Sequence, residues 1–377
     1  MGDLKTFFLF PMAVAALISY FATLLVIKLA SKLGIIDDPK NSNHPKVIHT
    51  VPTPRGGGIP IFLALFATSL IFLPVDKHLI GIMAGAFVVC LVGFLDDKYD
   101  LNPYLRLVLG FFAASLPIAA GIGIAFISNP LAVLNPLAGM SQIASITNPF
   151  GGVFDLSHPQ IVFSLFGTAH TIWLISDLFA LFWITFLMNM INMGAKGVDG
   201  QLSGVTVIAA LTIAFLSLRF SADITQWPVI VLAAITAGAY LGFLPLHVFP
   251  QKIMPGYGGS TLAGYLLGVL SILATAKVGI LLVVLGIPLI DTGYVIVKRI
   301  LKGKSPVWGD RGHLHHRLLD AGLTKGQVAF FYWGITAILG VVALNLNTGA
   351  KIYTMVGVAI LLGGFIIWLT QKPKKAQ

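Results

Sequence analysis

Three imidazoles and two guanidiniums fall within the nine residues Gly309-Asp310-Arg311-Gly312-His313-Leu314-His315-His316-Arg317. Donor-rich side chains at this density fit an anionic ligand, a phosphate or diphosphate. Attraction to anionic lipid headgroups needs only Lys and Arg, so the His-x-His-His spacing points to something more specific. A second constellation is Asp96-Asp97-Lys98-Tyr99-Asp100. If a helix continues through it, Asp96 and Asp100 share a face, and the crowded carboxylates call for Mg²⁺ or cationic side chains. Asn189 and Asn192 stand one helical turn apart, followed by Lys196 and Asp199 among glycines. Arg55 sits beside Gly56-Gly57-Gly58, and Gly256-Tyr257-Gly258-Gly259-Ser260 precedes an apolar run. Glycines let a backbone approach a ligand closely, and Ser260 is expected to cap the helix that follows.

The elements that position these groups are membrane helices. The chain is 57% hydrophobic and 10% charged, against about 25% charged in a soluble domain. Its single cysteine, Cys90, lies in an apolar run and excludes a disulfide framework or a thiolate metal site within one chain. The net charge of +10 does not call for nucleic acid, because the cations are spread over short loops between apolar runs. Runs long enough for a bilayer helix, about 17–25 residues, are read at Phe7–Leu29, Gly58–Leu73, Leu79–Leu95, Leu105–Ile127, Trp173–Met193, Val205–Phe220, Pro228–Phe249, Ser260–Ala276, Val278–Val297, Val328–Leu346 and Tyr353–Thr370. The first is too long for a signal-peptide core and is read as a retained span. Ser128–Thr171 is expected as a long external loop in which Ile161–Phe166 forms a re-entrant or partial helix.

Eleven spans place nineteen of the 24 Lys and Arg residues on one side and only Lys5, Lys77, Arg219, Lys277 and Lys351 on the other. The bias puts the N-terminus outside and the C-terminus in the cytoplasm. The expectation is an all-α, multi-pass protein of the plasma membrane. Residues 1–377 form one domain, whose His-rich loop 298–325 faces the cytoplasm. Asp177 and Asp291 fall within spans, where a carboxylate is either functional or a structural hydrogen-bonding partner.

From Gly34 to about Leu319 the chain resembles the polyprenyl-phosphate N-acetylhexosamine-1-phosphate transferases. The resemblance rests on Pro-Thr-Pro-Arg-Gly-Gly ending at Gly57, Phe-Leu-Asp-Asp at Phe94–Asp97, Asn189 and Asn192 leading to Asp199-Gly200, Gly-Gly-Ser at Gly258–Ser260, Ile-Pro-Leu-Ile-Asp at Ile287–Asp291, and Asp-Arg-Gly-His-Leu-His-His-Arg-Leu at Asp310–Leu318. It implies an eleven-helix fold with a cytoplasmic cleft and transfer of a sugar-1-phosphate from a UDP-sugar to polyprenyl phosphate, releasing UMP and initiating a cell-envelope glycan. By this resemblance Asp96 and Asp97 bind metal or position the acceptor phosphate, and Asn189, Asn192 and Asp199 line the metal and donor site, with Asp199 a third metal ligand. Arg311, His313, His315 and His316 hold donor phosphates, with Arg55, Gly258 and Ser260 beside them. The expected partners are the polyprenyl phosphate, the UDP-sugar and the membrane, with a homodimer left open. Two departures bear on the expected Mg²⁺. Lys196 stands where the family has an Asp, and Tyr257 stands where it has its magnesium-binding Asp. Lys196 thereby joins Asp96, Asp97 and Asp199 as an expected catalytic residue. The competing readings are a lipid transporter coupled through Asp177 and Asp291, a relative that binds these ligands without turnover, and an intramembrane prenyltransferase.

Overall fold

The computed structural model describes residues 5–41, 50–129, 153–165, 168–274, 277–305, 312–346 and 348–371. An apolar backbone without water must satisfy its own N–H and C=O groups, and the long apolar runs accordingly coil into helices. In chain order these are α1 (Phe10–Leu33), α2 (Gly58–Phe72), α3 (Lys77–Tyr99), α4 (Pro103–Ala119), α5 (Leu174–Gly194), α6 (Gln201–Leu218), α7 (Gln226–His247), α8 (Gly256–Leu273), α9 (Lys277–Val284), α10 (Gly286–Leu301), α11 (Leu314–Asp320), α12 (Lys325–Asn345) and α13 (Thr348–Gln371). Local chemistry sets their ends. Gly34 takes φ 70° to stop α1, a conformation that costs glycine little. The Asp76 carboxylate accepts from Leu79 N at 2.8 Å to start α3. Asn102 caps Tyr104 N with Pro103 in the first turn of α4, and Thr324 with Gln327 forms a capping box before α12.

Among the described residues, seven helices are individually long and apolar enough to cross a membrane. The α9–α10 pair makes an eighth if it counts as one span, while α2, α4 and Tyr353–Trp368 are shorter apolar helices. The ninth expected span, Val278–Val297, is not one straight helix. It breaks at Leu285, where α9 and α10 meet at 82°. Gly286 and Pro288 begin the second half, and Pro288 can neither donate to a preceding carbonyl nor fit the helix behind it. The expected partial helix at Ile161–Phe166 is also corrected. Gln160–Leu165 (β5) pairs antiparallel with Thr168–Trp173 (β6), as β-branched and aromatic residues favour. Phe126–Ser128 (β3) pairs with Val153–Asp155 (β4). The rest of that expected loop, residues 130–152, lies outside the described residues.

α8 is the axis of the molecule, with 94% of its apolar window buried against 28% for α1. It packs against α5 and α3, while α1 runs along α7 and α7 along α6. Gly58 of α2, Gly93 of α3 and Gly258 of α8 meet backbone to backbone. A Cβ at Gly58 would come within 2.8 Å of Gly258, and one at Gly93 would overlap it. Gly58 and Gly258, expected to admit a ligand, instead admit neighbouring helices, and Gly93 completes the contact. Polar cross-links tie the apolar interior together. Tyr265 Oη donates to Ile82 O at 2.9 Å, Trp183 Nε1 to Ser271 Oγ at 2.9 Å and Tyr240 Oη to Gly259 O at 2.7 Å.

Candidate active site

Five chain segments converge where α3 and α5 end and α8 begins. The hydrophobic pattern of α3 runs out at Asp96 and Asp97, and the helix stops at Asp100 with φ 50°. Of the two carboxylates expected to share a face, Asp96 is buried and Asp100 is exposed at the helix end. Asp96 receives Arg106 Nη1 on both oxygens at 3.0 Å and Leu101 N at 3.1 Å. Asp97 points the other way, accepting Tyr257 N at 3.0 Å. A carboxylate thus occupies the N-terminal end of α8, where unpaired N–H groups favour negative charge. Its second oxygen is buried with no hydrogen bond.

α8 starts at Gly256 after Pro255, so Ser260 lies inside the helix and does not cap it. Its hydroxyl, with one proton to give, lies 2.7 Å from Asn192 Oδ1 and 2.9 Å from Gly256 O, and donates to the nearer. Asn192, in the last turn of α5, also accepts Lys196 Nζ at 2.8 Å. The same ammonium donates to Gly256 O at 3.2 Å and lies within electrostatic reach of Asp97, Arg55, Asp96 and Arg106. Burial lowers its pKa from 10.5 to about 8, with Asp97 pulling against the drop. Asn189, one turn earlier, spends its amide nitrogen on Thr185 O at 2.8 Å. Arg55 is held by Asp37 at 2.6 Å across the short pairing of Ile36–Asp37 (β1) with Thr53–Pro54 (β2).

The loop after α5 is shaped by Gln201. Its carbonyl accepts Gly197 N and Val198 N, and its amide donates to Gly194 O. Gly197 must be glycine, because a Cβ there would overlap the His315 ring. That contact brings the His cluster onto the Lys196 loop. The cluster is less of a loop than expected, since Leu314–Asp320 is helical and His313 stands at its N-cap. Asp291 Oδ2 meets His313 Nδ1 at 2.9 Å, while Oδ1 accepts Leu314 N at 2.7 Å. His315 lies parallel to His313, with ring centroids 5.6 Å apart, and His316 tilts against it at 4.3 Å. All three imidazoles are buried. Arg317 faces elsewhere, donating to Gly312 O and Ile366 O beside the Tyr294 ring. Arg311 lies outside the described residues.

The carboxylates do not fit the expected Mg²⁺. Asp96 is committed to Arg106 and Asp97 to α8, and Asp199 stands 3.5 Å from Lys325 Nζ. Among the described residues no group of three or more His, Cys, Asp or Glu could hold a metal ion. Asp96, Asp97 and Asp199 are thus not gathered into the metal site expected of them. Sequence reasoning also missed residues that shape the site. Arg106 entered only as a topology-setting charge, although an Arg in the first turn of an otherwise apolar helix, ten residues after an Asp, was a usable signal. Asp177 proves local, accepting Trp173 N at the start of α5.

Beside Arg106 opens a groove of about 280 Å³ between α4, α5 and α10. Its polar end carries Arg106, Asn189 and Asn192, and its walls include Phe111, Phe182 and Phe186. The sequence profile described as glycosyl transferase family 4 matches residues 79–275, more than half of the chain. The chain belongs to that family. A Bacillus subtilis relative named probable undecaprenyl-phosphate N-acetylglucosaminyl 1-phosphate transferase is 28% identical over 348 residues, covering 89% of this chain and 85% of the relative. A decaprenyl-phosphate N-acetylglucosaminephosphotransferase of Mycolicibacterium smegmatis is 27% identical over 382 residues, covering 92% and 84%. A phospho-N-acetylmuramoyl-pentapeptide-transferase of Caldanaerobacter subterraneus is 28% identical over a shorter stretch, 292 residues, covering 76% and 81%. As a member of this family the chain is a multi-pass membrane phosphoglycosyltransferase.

Proposed function

We propose that the protein transfers N-acetylhexosamine-1-phosphate from a UDP-sugar to polyprenyl phosphate at the cytoplasmic membrane face. The observation that carries this reading is the groove, apolar along aromatic walls and polar at Arg106, Asn189 and Asn192. An isoprenoid chain fits the walls, and its phosphate fits the guanidinium.

The acceptor phosphate is already ionised near neutral pH, as its second pKa is about 6. It therefore needs positioning and charge neutralisation rather than a general base. One of its oxygens forms a bond to the sugar-proximal phosphorus of the donor. The bond from that phosphorus to the bridging oxygen breaks, and its electron pair leaves with UMP. Both partners are anionic, so the reaction depends on cations. Arg106 holds the acceptor, while Lys196, Arg55 and the wall of His313, His315 and His316 face the donor diphosphate. Asp97 fixes the start of α8, and Asn192 joins that helix to the Lys196 loop. The bias of nineteen Lys and Arg residues against five supports a cytoplasmic position for this end of the bundle, where UDP-sugars are available.

The test uses purified protein in lipid nanodiscs with polyprenyl phosphate and a panel of radiolabelled UDP-sugars. Labelled lipid is expected from a UDP-N-acetylhexosamine, with UMP released in equal amount. No lipid product from any UDP-sugar would sink the reading. Arg106→Leu is expected to raise the KM for polyprenyl phosphate about tenfold or more while leaving UDP binding near normal, given what a charge-assisted phosphate contact contributes.

A further inference from the structure

The buried oxygens at the meeting of α5 and α8 already surround a positive charge. Lys196 Nζ donates to Asn192 Oδ1 at 2.8 Å and to Gly256 O at 3.2 Å, and Asp97 contributes the largest favourable charge interaction. Carbonyl and carboxylate oxygens are also what a hard divalent ion seeks. Here an ammonium takes that position, tethered by its own chain. Two of its three protons are spent, which leaves one for a ligand oxygen.

Charge balance points the same way. Arg106 neutralises Asp96, and Lys325 faces Asp199. Asp97 is then the carboxylate that Lys196 answers. A divalent ion added beside Asp97 would meet the ammonium's repulsion and, among the described residues, find no group of three acidic, imidazole or thiol ligands.

We propose that the Lys196 ammonium is the resident cation of this site and contacts the donor diphosphate directly, so that donor binding needs no divalent metal ion. This rests on the reading of the site as a UDP-sugar site. Asn192 and Gly256 act as positioning groups that aim the ammonium. Lys contacts phosphate as a point charge and does not require the planar fork of Arg. A conservative Lys196→Arg change therefore retains most of the effect, while removal of charge loses it.

The experiment uses the full chain in nanodiscs, with UDP as the donor-side probe, in chelator and in millimolar magnesium. Binding is read by calorimetry and the response to metal by unfolding temperature. The wild type is expected to bind UDP within about threefold equally in both conditions, with no magnesium-dependent rise in unfolding temperature. Lys196→Met is expected to weaken UDP about tenfold or more in both, and Lys196→Arg to recover to within about threefold of wild type. Lys196→Asp supplies a second carboxylate beside Asp97. It is expected to bind UDP only with magnesium and to gain unfolding temperature from the ion. Wild-type binding that vanishes in chelator and returns with magnesium overturns the proposal. So does unaltered affinity in Lys196→Met, or no UDP binding in either condition. Should Lys196→Met fail to fold, the wild-type and Lys196→Asp arms decide the matter. Absence of lipid product with metal-independent UDP binding intact would instead count against the transfer reaction and leave the cation assignment standing.

Discussion

Asp96 gives both carboxylate oxygens to Arg106, whereas Asp97, one residue on, turns to the start of α8. Their adjacency was legible in the sequence, but what neutralises each was not, because Arg106, Lys196 and the Tyr257 amide arrive from other parts of the chain. Removing Arg106 strands a buried carboxylate, so Arg106→Met is expected to destabilise the protein by about 3 kcal/mol. Adding Asp96→Asn should recover much of that loss. A double-mutant cycle of unfolding in detergent checks it, and strictly additive effects would contradict the pairing. A pH prediction follows from Lys196, whose burial lowers its pKa from 10.5 to about 8 despite Asp97 and Asp96, with Arg55 and Arg106 adding to the drop. The ammonium therefore gives up its proton earlier in an alkaline titration than an exposed lysine does. UDP affinity of the free protein is expected to fall as pH rises through about 8, measured by calorimetric titration. Lys196→Arg should abolish the fall, since a guanidinium stays charged.

At the scale of elements, α11 is positioned by one carboxylate from α10. Asp291 is fully buried and bonds both His313 and the first helical N–H of α11. Its span position suggested either function or structure, and it proves to orient the imidazoles. Asp291→Ala and His313→Ala are expected to lower turnover by similar factors, well over tenfold, and the double variant to be little worse than either alone. Steady-state kinetics of the three variants decide this, and multiplicative losses would show independent roles. Most helix limits were readable because apolar runs and caps mark them. The expected span Leu105–Ile127, however, ends as a helix at Ala119, and Phe126 and Ile127 belong to β3. Gly121 and Gly123 follow Pro117 and end the helix before the apolar run does. The break at Leu285 lay within an unbroken apolar run, with Gly286 and Pro288 as its only sequence signals. The β5–β6 hairpin was missed for a related reason, since a short apolar run does not distinguish strand from partial helix.

For the whole molecule, composition alone separated a membrane protein from a soluble one, and the charge bias carries a sidedness that the helices themselves do not report. A reporter inserted near Lys304 or fused after Gln377 is expected to read cytoplasm, and one near Asn148 the outside. Lys304 and Asn148 reporting the same side would overturn the eleven-span topology. What the sequence did not show was convergence. The five motif loops meet because Gly58, Gly93 and Gly258 let three helices touch and because Gly197 accepts the His315 ring. Each contact depends on the absence of a side chain, which a motif read in isolation assigns to a ligand.

The 82° turn between α9 and α10 sets the direction of α10, whose Ile296 lines the groove together with Phe111 of α4 and Phe182 and Phe186 of α5. Phe182 and Phe186 on that side remain exposed at 59% and 40%, an apolar opening through which the lipid acceptor of the proposed reaction enters from the bilayer. One substrate then approaches by diffusion in a plane and the other by diffusion in a volume. The relevant abundance of the acceptor is its mole fraction among lipids, and its encounter rate is set by membrane fluidity. Diluting a suspension of proteoliposomes with buffer at fixed UDP-sugar should leave the rate per enzyme unchanged. Adding inert lipid within the same bilayers should lower it in proportion, as befits a catalyst working at a surface.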